Sequence, residues 1–347
     1  MFDPRNLPEL FYTASMQKAQ QTEATETADE SLNLSVLADL RNSIGQRVVG
    51  QTEVIDRMLI GLLVGGHLLL EGAPGLAKTT AVRAIADCID AEFHRIQFTP
   101  DLLPGDLIGT EVFRPETASF EFVRGPLFHS ILLTDEINRA PAKVQSALLE
   151  AMQERQVTVG NTTYALPELF WVIATQNPVE NEGTFPLPEA QMDRFIMMIR
   201  LDYPSRDDEL GILQLHEETG EEAALEPVIH PDDLFVLRRG IRKVYMAPEL
   251  KGYIVDLVAA TREPGRHDPE LEGLVVLGAS PRATLALALC ARAHAAIHGR
   301  DFVSPHDIQS IATDVMQHRI VLSFEGIASR WDRVSMIRRL IEVVPVP

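Results

Sequence analysis

Cysteine is scarce in this chain. Two occur in 347 residues, Cys88 and Cys290, far apart on segments of helical pattern. That number excludes a disulfide framework and a cysteine-built zinc site, and both thiols are expected as reduced core residues. Basic runs are also lacking. Lysine and arginine total 31 against 50 aspartates and glutamates, a formal net charge of −19. Such a surface repels phosphate backbones, so no nucleic-acid partner is expected. No apolar run has the length of a membrane span: Ile60 to Leu70 is interrupted by Gly65, Gly66 and His67. The start, Met1-Phe2-Asp3-Pro4-Arg5, has neither the basic opening nor the apolar core of a secretory signal, and the expected location is the cytoplasm. His294 and His298 lie four apart on one helical stretch. With no third ligand and no H-E-x-x-H, they are expected as core or solvated histidines rather than zinc ligands.

What is present is an apolar share of 46%, ordinary for a folded protein, in a chain long enough for two domains with a core each. The most informative stretch runs from His67 to Thr80. Leu68, Leu69 and Leu70 read as a buried strand, Gly72 to Thr79 as a loop, and Ala81 onward as a helix. The spacing is that of the triphosphate loop G-x-x-x-x-G-K-[ST], with Ala77 in place of the second glycine. Small residues let backbone N–H groups wrap phosphates, and the following helix adds the positive end of its dipole. The expected nucleotide-binding residues are therefore Gly72, Ala73, Pro74, Gly75, Leu76, Ala77, Lys78, Thr79 and Thr80. Lys78 would reach the β- and γ-phosphates, and the Thr79 hydroxyl would ligate Mg²⁺.

Downstream, Leu132-Leu133-Thr134-Asp135-Glu136 ends a third core strand with two carboxylates. Ligands bind at that edge of an open parallel sheet. Asp135 is expected to hold the metal with Thr79, and Glu136 to orient and polarise the attacking water, both facing the loop from the neighbouring strand. Asn177 closes the next buried strand, where a neutral amide could bond the γ-phosphate or the water, or merely serve a turn before Pro178. Arg194 and Arg282 each place a permanent charge in a defined setting, as phosphate partners or as ion-pair partners at the surface.

The chain alternates strand and helix from Leu68 to Leu201, which predicts an α/β parallel sheet covered by helices on both faces. Hairpins are expected around 111–123 and at Gly160-Asn161. Beyond Tyr203-Pro204-Ser205 helices dominate, two of them opened by Ser280-Pro281 and Ser304-Pro305. The resulting division is a polar, acidic tail over 1–33, a nucleotide-binding domain over 34–204 and a small all-α lid over 205–347. Asp29-Glu30-Ser31-Leu32-Asn33, a faint likeness to a metal-adhesion motif, reads as part of the tail.

Several long segments, in order, resemble the MoxR AAA+ ATPases. They are Phe98-Thr99-Pro100-Asp101-Leu102-Leu103-Pro104-Gly105-Asp106, Gly125-Pro126-Leu127-Phe128, Asp135-Glu136-Ile137-Asn138-Arg139-Ala140 and the run from Ala147 to Thr158. Ala174-Thr175-Gln176-Asn177-Pro178, the run from Leu187 to Phe195, and Gly278-Ala279-Ser280-Pro281-Arg282-Ala283 complete the set. The alanine at 77 is itself usual in that family. The resemblance implies a five-stranded P-loop core with a helix-2 insert and a pre-sensor hairpin, then a helical lid. It implies Walker A roles for Lys78 and Thr79, Walker B roles for Asp135 and Glu136, sensor 1 for Asn177 and sensor 2 for Arg282. Arg194 matches the arginine finger given to a neighbouring subunit, and Val49 and Gly50 match the segment against the adenine.

The function so implied is hydrolysis of ATP with Mg²⁺ by a homo-oligomeric ring, a hexamer, that remodels a protein client. A separate protein with a von Willebrand factor A domain is an expected partner. The nucleotide would lie between the sheet domain and the chain's own lid. A scaffold merely timed by ATP, a nucleic-acid motor and a metal-chelatase motor are the rival expectations.

Overall fold

The computed structural model describes residues 34–73, 75–177, 184–219, 225–329 and 331–347. The expectations for the tail and for Pro74 and Pro178 lie outside those residues.

Two helices, α1 (Leu34–Gly45) and α2 (Thr52–Val64), precede the sheet. They bury Leu37, Leu40 and Ile44 on one and Met58, Leu59 and Leu62 on the other, the recurrence a helix needs to face a core. Then follow β1 (Leu68–Glu71), α3 (Lys78–Cys88), β2 (Phe93–Gln97), α4 (Pro104–Ile108), β3 (Gly109–Arg114) and β4 (Ser119–Arg124). After them come β5 (Ile131–Asp135), α5 (Ala142–Glu154), β6 (Gln156–Val159), β7 (Thr162–Ala165), β8 (Trp171–Gln176), α6 (Glu189–Met192) and β9 (Met197–Arg200). Five of these strands form one parallel sheet in the order β2-β5-β8-β1-β9. β1, β5 and β8 are almost wholly buried, as a sheet covered on both faces requires. The hairpins β3–β4 and β6–β7 stand apart as antiparallel pairs, and Phe122 of the first stacks on Tyr164 of the second with ring centres 4.4 Å apart.

One expectation needs correction. β5, which carries Asp135 and Glu136, is not the neighbour of the loop strand β1, because β8 is hydrogen-bonded between them. The crossover from β5 returns the chain to the middle of the sheet, so the end of β8 sits directly between loop and carboxylates.

The rest of the chain is α7 (Arg206–Thr219), α8 (Pro231–Lys243), α9 (Pro248–Ala260), β10 (Val275–Leu277), α10 (Pro281–Ile297), α11 (Pro305–Met316), β11 (Val321–Leu322), α12 (Phe324–Ala328) and α13 (Arg333–Val343). β10 and β11 pair as a short antiparallel ribbon that the sequence reading does not anticipate in an otherwise helical region. Ser280 caps α10 by accepting the Arg282 N–H, and Ser304 with Asp307 forms a capping box on α11. Both thiols are free and buried. His294 is a core histidine, its Nδ1 2.6 Å from Asp307 Oδ1. Among the described residues no helix is long and apolar enough to cross a membrane.

The helical region is fastened to the sheet. Gln317 Nε2 donates to Met198 O at 2.7 Å, His318 Nε2 faces Phe195 O at 3.0 Å, and Arg319 Nη2 donates to Phe195 O at 2.7 Å. Arg57 on α2 pairs with Asp314 on α11 at 2.7 Å.

Candidate functional site

At the carboxyl edge of the sheet the chain leaves β1 at Glu71 and enters α3 at Lys78. Gly72 is hemmed in: a Cβ there would lie 3.0 Å from both Cβ and O of Leu201. Ala77 adopts a left-handed conformation, φ 52°, so a residue with a Cβ occupies the strained place where the loop pattern has glycine. The turn brings Lys78 back over the loop, and its Nζ donates to Gly72 O at 2.6 Å. Burial lowers the pKa of that ammonium, while Asp135 and Glu136 oppose the shift.

Gly72, Gly75 to Thr80, Asp135, Glu136 and Asn177 line one cavity of about 340 Å³, together with Arg95, Gln97 and Thr175. A volume of this size suits a small ligand. Asp135 is buried, and both its oxygens are engaged. Oδ2 accepts from Arg95 Nε at 2.6 Å, and Oδ1 from Thr175 Oγ1 at 3.1 Å. Glu136 turns the backbone left-handed at φ 58°. Its N–H donates to Thr175 Oγ1 at 3.0 Å, and its Oε2 accepts from Gln97 Nε2 at 2.8 Å and pairs with Arg139 Nε at 2.9 Å. Thr175 thus fastens the Asp135 carboxylate and the Glu136 backbone from the strand between them and the loop.

The residues fit a magnesium nucleoside triphosphate. Lys78 and Arg95 balance the two carboxylates that line the cavity with them, Asp135 and Glu136, so the carboxylates are offset toward an incoming anion. The Thr79 hydroxyl and the Asp135 carboxylate are hard oxygen donors of the kind Mg²⁺ takes, and both line the same cavity. Val49 and Gly50 do not line it. They pack under α7, where a Cβ on Gly50 would fall 2.3 Å from Asp208 Cγ and one on Gly211 2.9 Å from Val49 Cγ1.

Arg194 and Arg282 are brought to each other, not to the loop. With Asp193 and His67 they line a separate cavity of about 260 Å³. Arg194 Nη1 donates to Leu149 O at 2.6 Å, and Arg282 Nη1 stands 3.5 Å from Asp193 Oδ2. Asp193 also accepts from Arg319 Nε at 2.8 Å and from Ser280 Oγ at 3.1 Å. This cluster lies at the amino edge of the sheet, since Ile196 N donates to His67 O just before the paired starts of β1 and β9. At about 3.3 Å per residue, the strand and its flanks put the cluster roughly 20 Å from the loop. The structure therefore does not bring Arg282 over the cavity lined by Lys78.

Arg95, Gln97 and Thr175 are the cavity residues that the motif reading did not assign. Their alternation on β2 and position beside Asn177 are the sole signals, visible only once strand order is known.

Residues 67–197 match the model of the ATPase family associated with various cellular activities (AAA), and residues 272–338 that of the AAA lid domain. Chaperone MoxR1 of Mycobacterium tuberculosis is 45% identical over 86% of this chain and 79% of its own length. The uncharacterized protein YeaC of Bacillus subtilis is also 45% identical, over 88% and 92% respectively. Protein MoxR of Methylorubrum extorquens is 34% identical, over 89% and 95%. A crystal structure of a Cytophaga hutchinsonii protein described as a putative ATPase superposes with a TM-score of 0.86 at 44% identity, covering 94% of this chain and 99% of that one.

Proposed function

This chain belongs to the MoxR family of AAA ATPases and is an ATP hydrolase, and we propose that it works as a ring in which each loop cavity is completed by the arginines of the next copy. The observation that carries this reading is that Arg194 and Arg282 line one cavity at the sheet edge opposite Lys78. Neither guanidinium can serve the phosphates of its own chain across that distance. An adjacent copy in head-to-tail contact would present both to the cavity at once. Six copies close such a ring in our reading.

Within the cavity, Lys78 and the loop amides bind the β- and γ-phosphates, Thr79 and Asp135 hold Mg²⁺, and Asn177 bonds the γ-phosphate or the water. Bound Mg²⁺ supplies charge neutralisation on the phosphates. Glu136 orients the water once Gln97 and Arg139 release its carboxylate. Val49 and Gly50 bound the base. Residues 34–204 form the nucleotide-binding unit and 205–347 the lid. Turnover drives remodelling of a protein client, in line with the chaperone name of the MoxR1 relative. A separate protein with a von Willebrand factor A domain is the partner the family suggests.

The test is complementation between two silent variants. Lys78→Ala removes the cavity's cation and Arg194→Ala the donated one. Mixed, they should regain a share of wild-type turnover, because some junctions then join an intact cavity to an intact arginine. No recovery in a mixture that does assemble would refute donation between copies. Comparing client activation by wild type and by Glu136→Gln separates a motor, which stops when locked with ATP, from a scaffold, which does not.

A further inference from the structure

The cavity contains a cation that a phosphate loop does not require. Arg95 projects from β2, the edge strand of the sheet, and its Nε donates to Asp135 Oδ2 at 2.6 Å. The Arg95 side chain is 53% exposed, whereas that of Asp135 is 11% exposed. The aspartate is fixed from its other side by Thr175. A buried carboxylate aimed into a phosphate site needs a counter-charge, since without one it repels the ligand. Arg95 meets that need with a long, half-solvated side chain attached where no further strand packs. It can withdraw without disturbing the sheet.

We infer that Arg95 is a resident counter-ion for the Asp135 carboxylate, a positioning residue that offsets the charge of this metal ligand before the metal arrives and yields Oδ2 when Mg²⁺ is loaded. The inference rests on the nucleotide reading above. Its consequence concerns order of binding. With Arg95 in place, the charge of Asp135 is offset toward free ATP as well as toward Mg·ATP, so nucleotide enters with or without metal. Without Arg95, Asp135 faces the phosphates bare, and the site demands metal. A mere staple between β2 and β5 would affect stability and leave this metal dependence alone.

The experiment is equilibrium binding of ATP to the full chain by calorimetry, once in EDTA and once in saturating Mg²⁺. Arg95→Met is expected to weaken metal-free binding about tenfold, the size of a half-screened charge pair, and to change the Mg²⁺-saturated affinity less than about threefold. Arg95→Lys, which restores the charge, should fall between. Asp135→Asn should bind metal-free ATP more tightly than wild type, and adding Arg95→Met to it should then cost about equally with and without metal. An unchanged ratio of the two affinities in Arg95→Met overturns the inference. If that variant does not fold, metal-free binding by Asp135→Asn no tighter than wild type overturns it instead. Absence of ATP binding by the wild-type chain would refute the nucleotide reading itself, a distinct result.

Discussion

Replacing Thr175 by valine is nearly isosteric, yet it should disable both carboxylates. Thr175 is 3% exposed, and its hydroxyl accepts the Glu136 N–H at 3.0 Å while donating to Asp135 Oδ1 at 3.1 Å. Valine removes a bond to a charged acceptor, worth about 1.5–3 kcal/mol, and strands a backbone donor, at about 1–3 kcal/mol. The added methyl offsets part of this, leaving a net loss of about 2–3 kcal/mol of stability. Catalysis should suffer more. Glu136 holds a left-handed backbone, φ 58°, which costs an L-residue about 1–2 kcal/mol, and the Thr175 bond is what fixes it there. Without that bond the carboxylate would lose the aim at water proposed for it, and turnover should fall about 100-fold with ATP affinity changed much less. Guanidinium denaturation, ATP binding and phosphate release read the three quantities. Thr175→Ser should behave as wild type in all of them. A valine variant within about 0.5 kcal/mol of wild type, with turnover within about twofold, would refute the reasoning.

Three other perturbations follow from the structure. Burial, aided by Arg155 and Arg238, pulls the His67 pKa from 6.5 to about 4. Between those values the unfolded chain takes a proton that the folded chain refuses, so stability is full above about pH 6.5 and declines toward pH 4 by about 3 kcal/mol. His67→Gln should flatten that part of the curve in melts run across the range, and an unaltered slope would exonerate His67. Ala77→Gly relieves a left-handed alanine but frees the unfolded chain, so the net effect should be a gain of about 0–1 kcal/mol; a clear loss in denaturation midpoint would mean that the methyl packs usefully. Asp193→Asn leaves the buried Arg319 without its carboxylate and should cost about 3 kcal/mol, read by thermal melting; a melt indistinguishable from wild type would mean that the carbonyls around Arg319 suffice.

The loop, its lysine and the two strand-end carboxylates were legible because phosphate recognition is local chemistry: it demands small residues, a lysine and a helix start within a few positions. The caps at Ser280 and Ser304 were legible for the same reason. Thr175 and Arg95 were not, since their partners come from strands joined only by long crossovers, and parallel strand order is not written in any one segment. The meeting of Arg194 with Arg282 spans a sequence distance that no periodicity covers. The β10–β11 ribbon escaped notice because strands of three and two residues are too short to show alternation.

The fastening of residues 317–319 to the start of β9 bears on how such a molecule could do mechanical work. Three side chains of one short turn meet the carbonyls of Phe195, just before the outermost strand, and of Met198 within it, and breaking these contacts would expose buried donors and acceptors together. Bending at this joint is therefore disfavoured relative to motion elsewhere. A push felt at the arginine pair travels through Asp193 and Arg319 into the helical end as though through a single stiff body. In the ring proposed above, displacement would then show itself where one copy slides against the next.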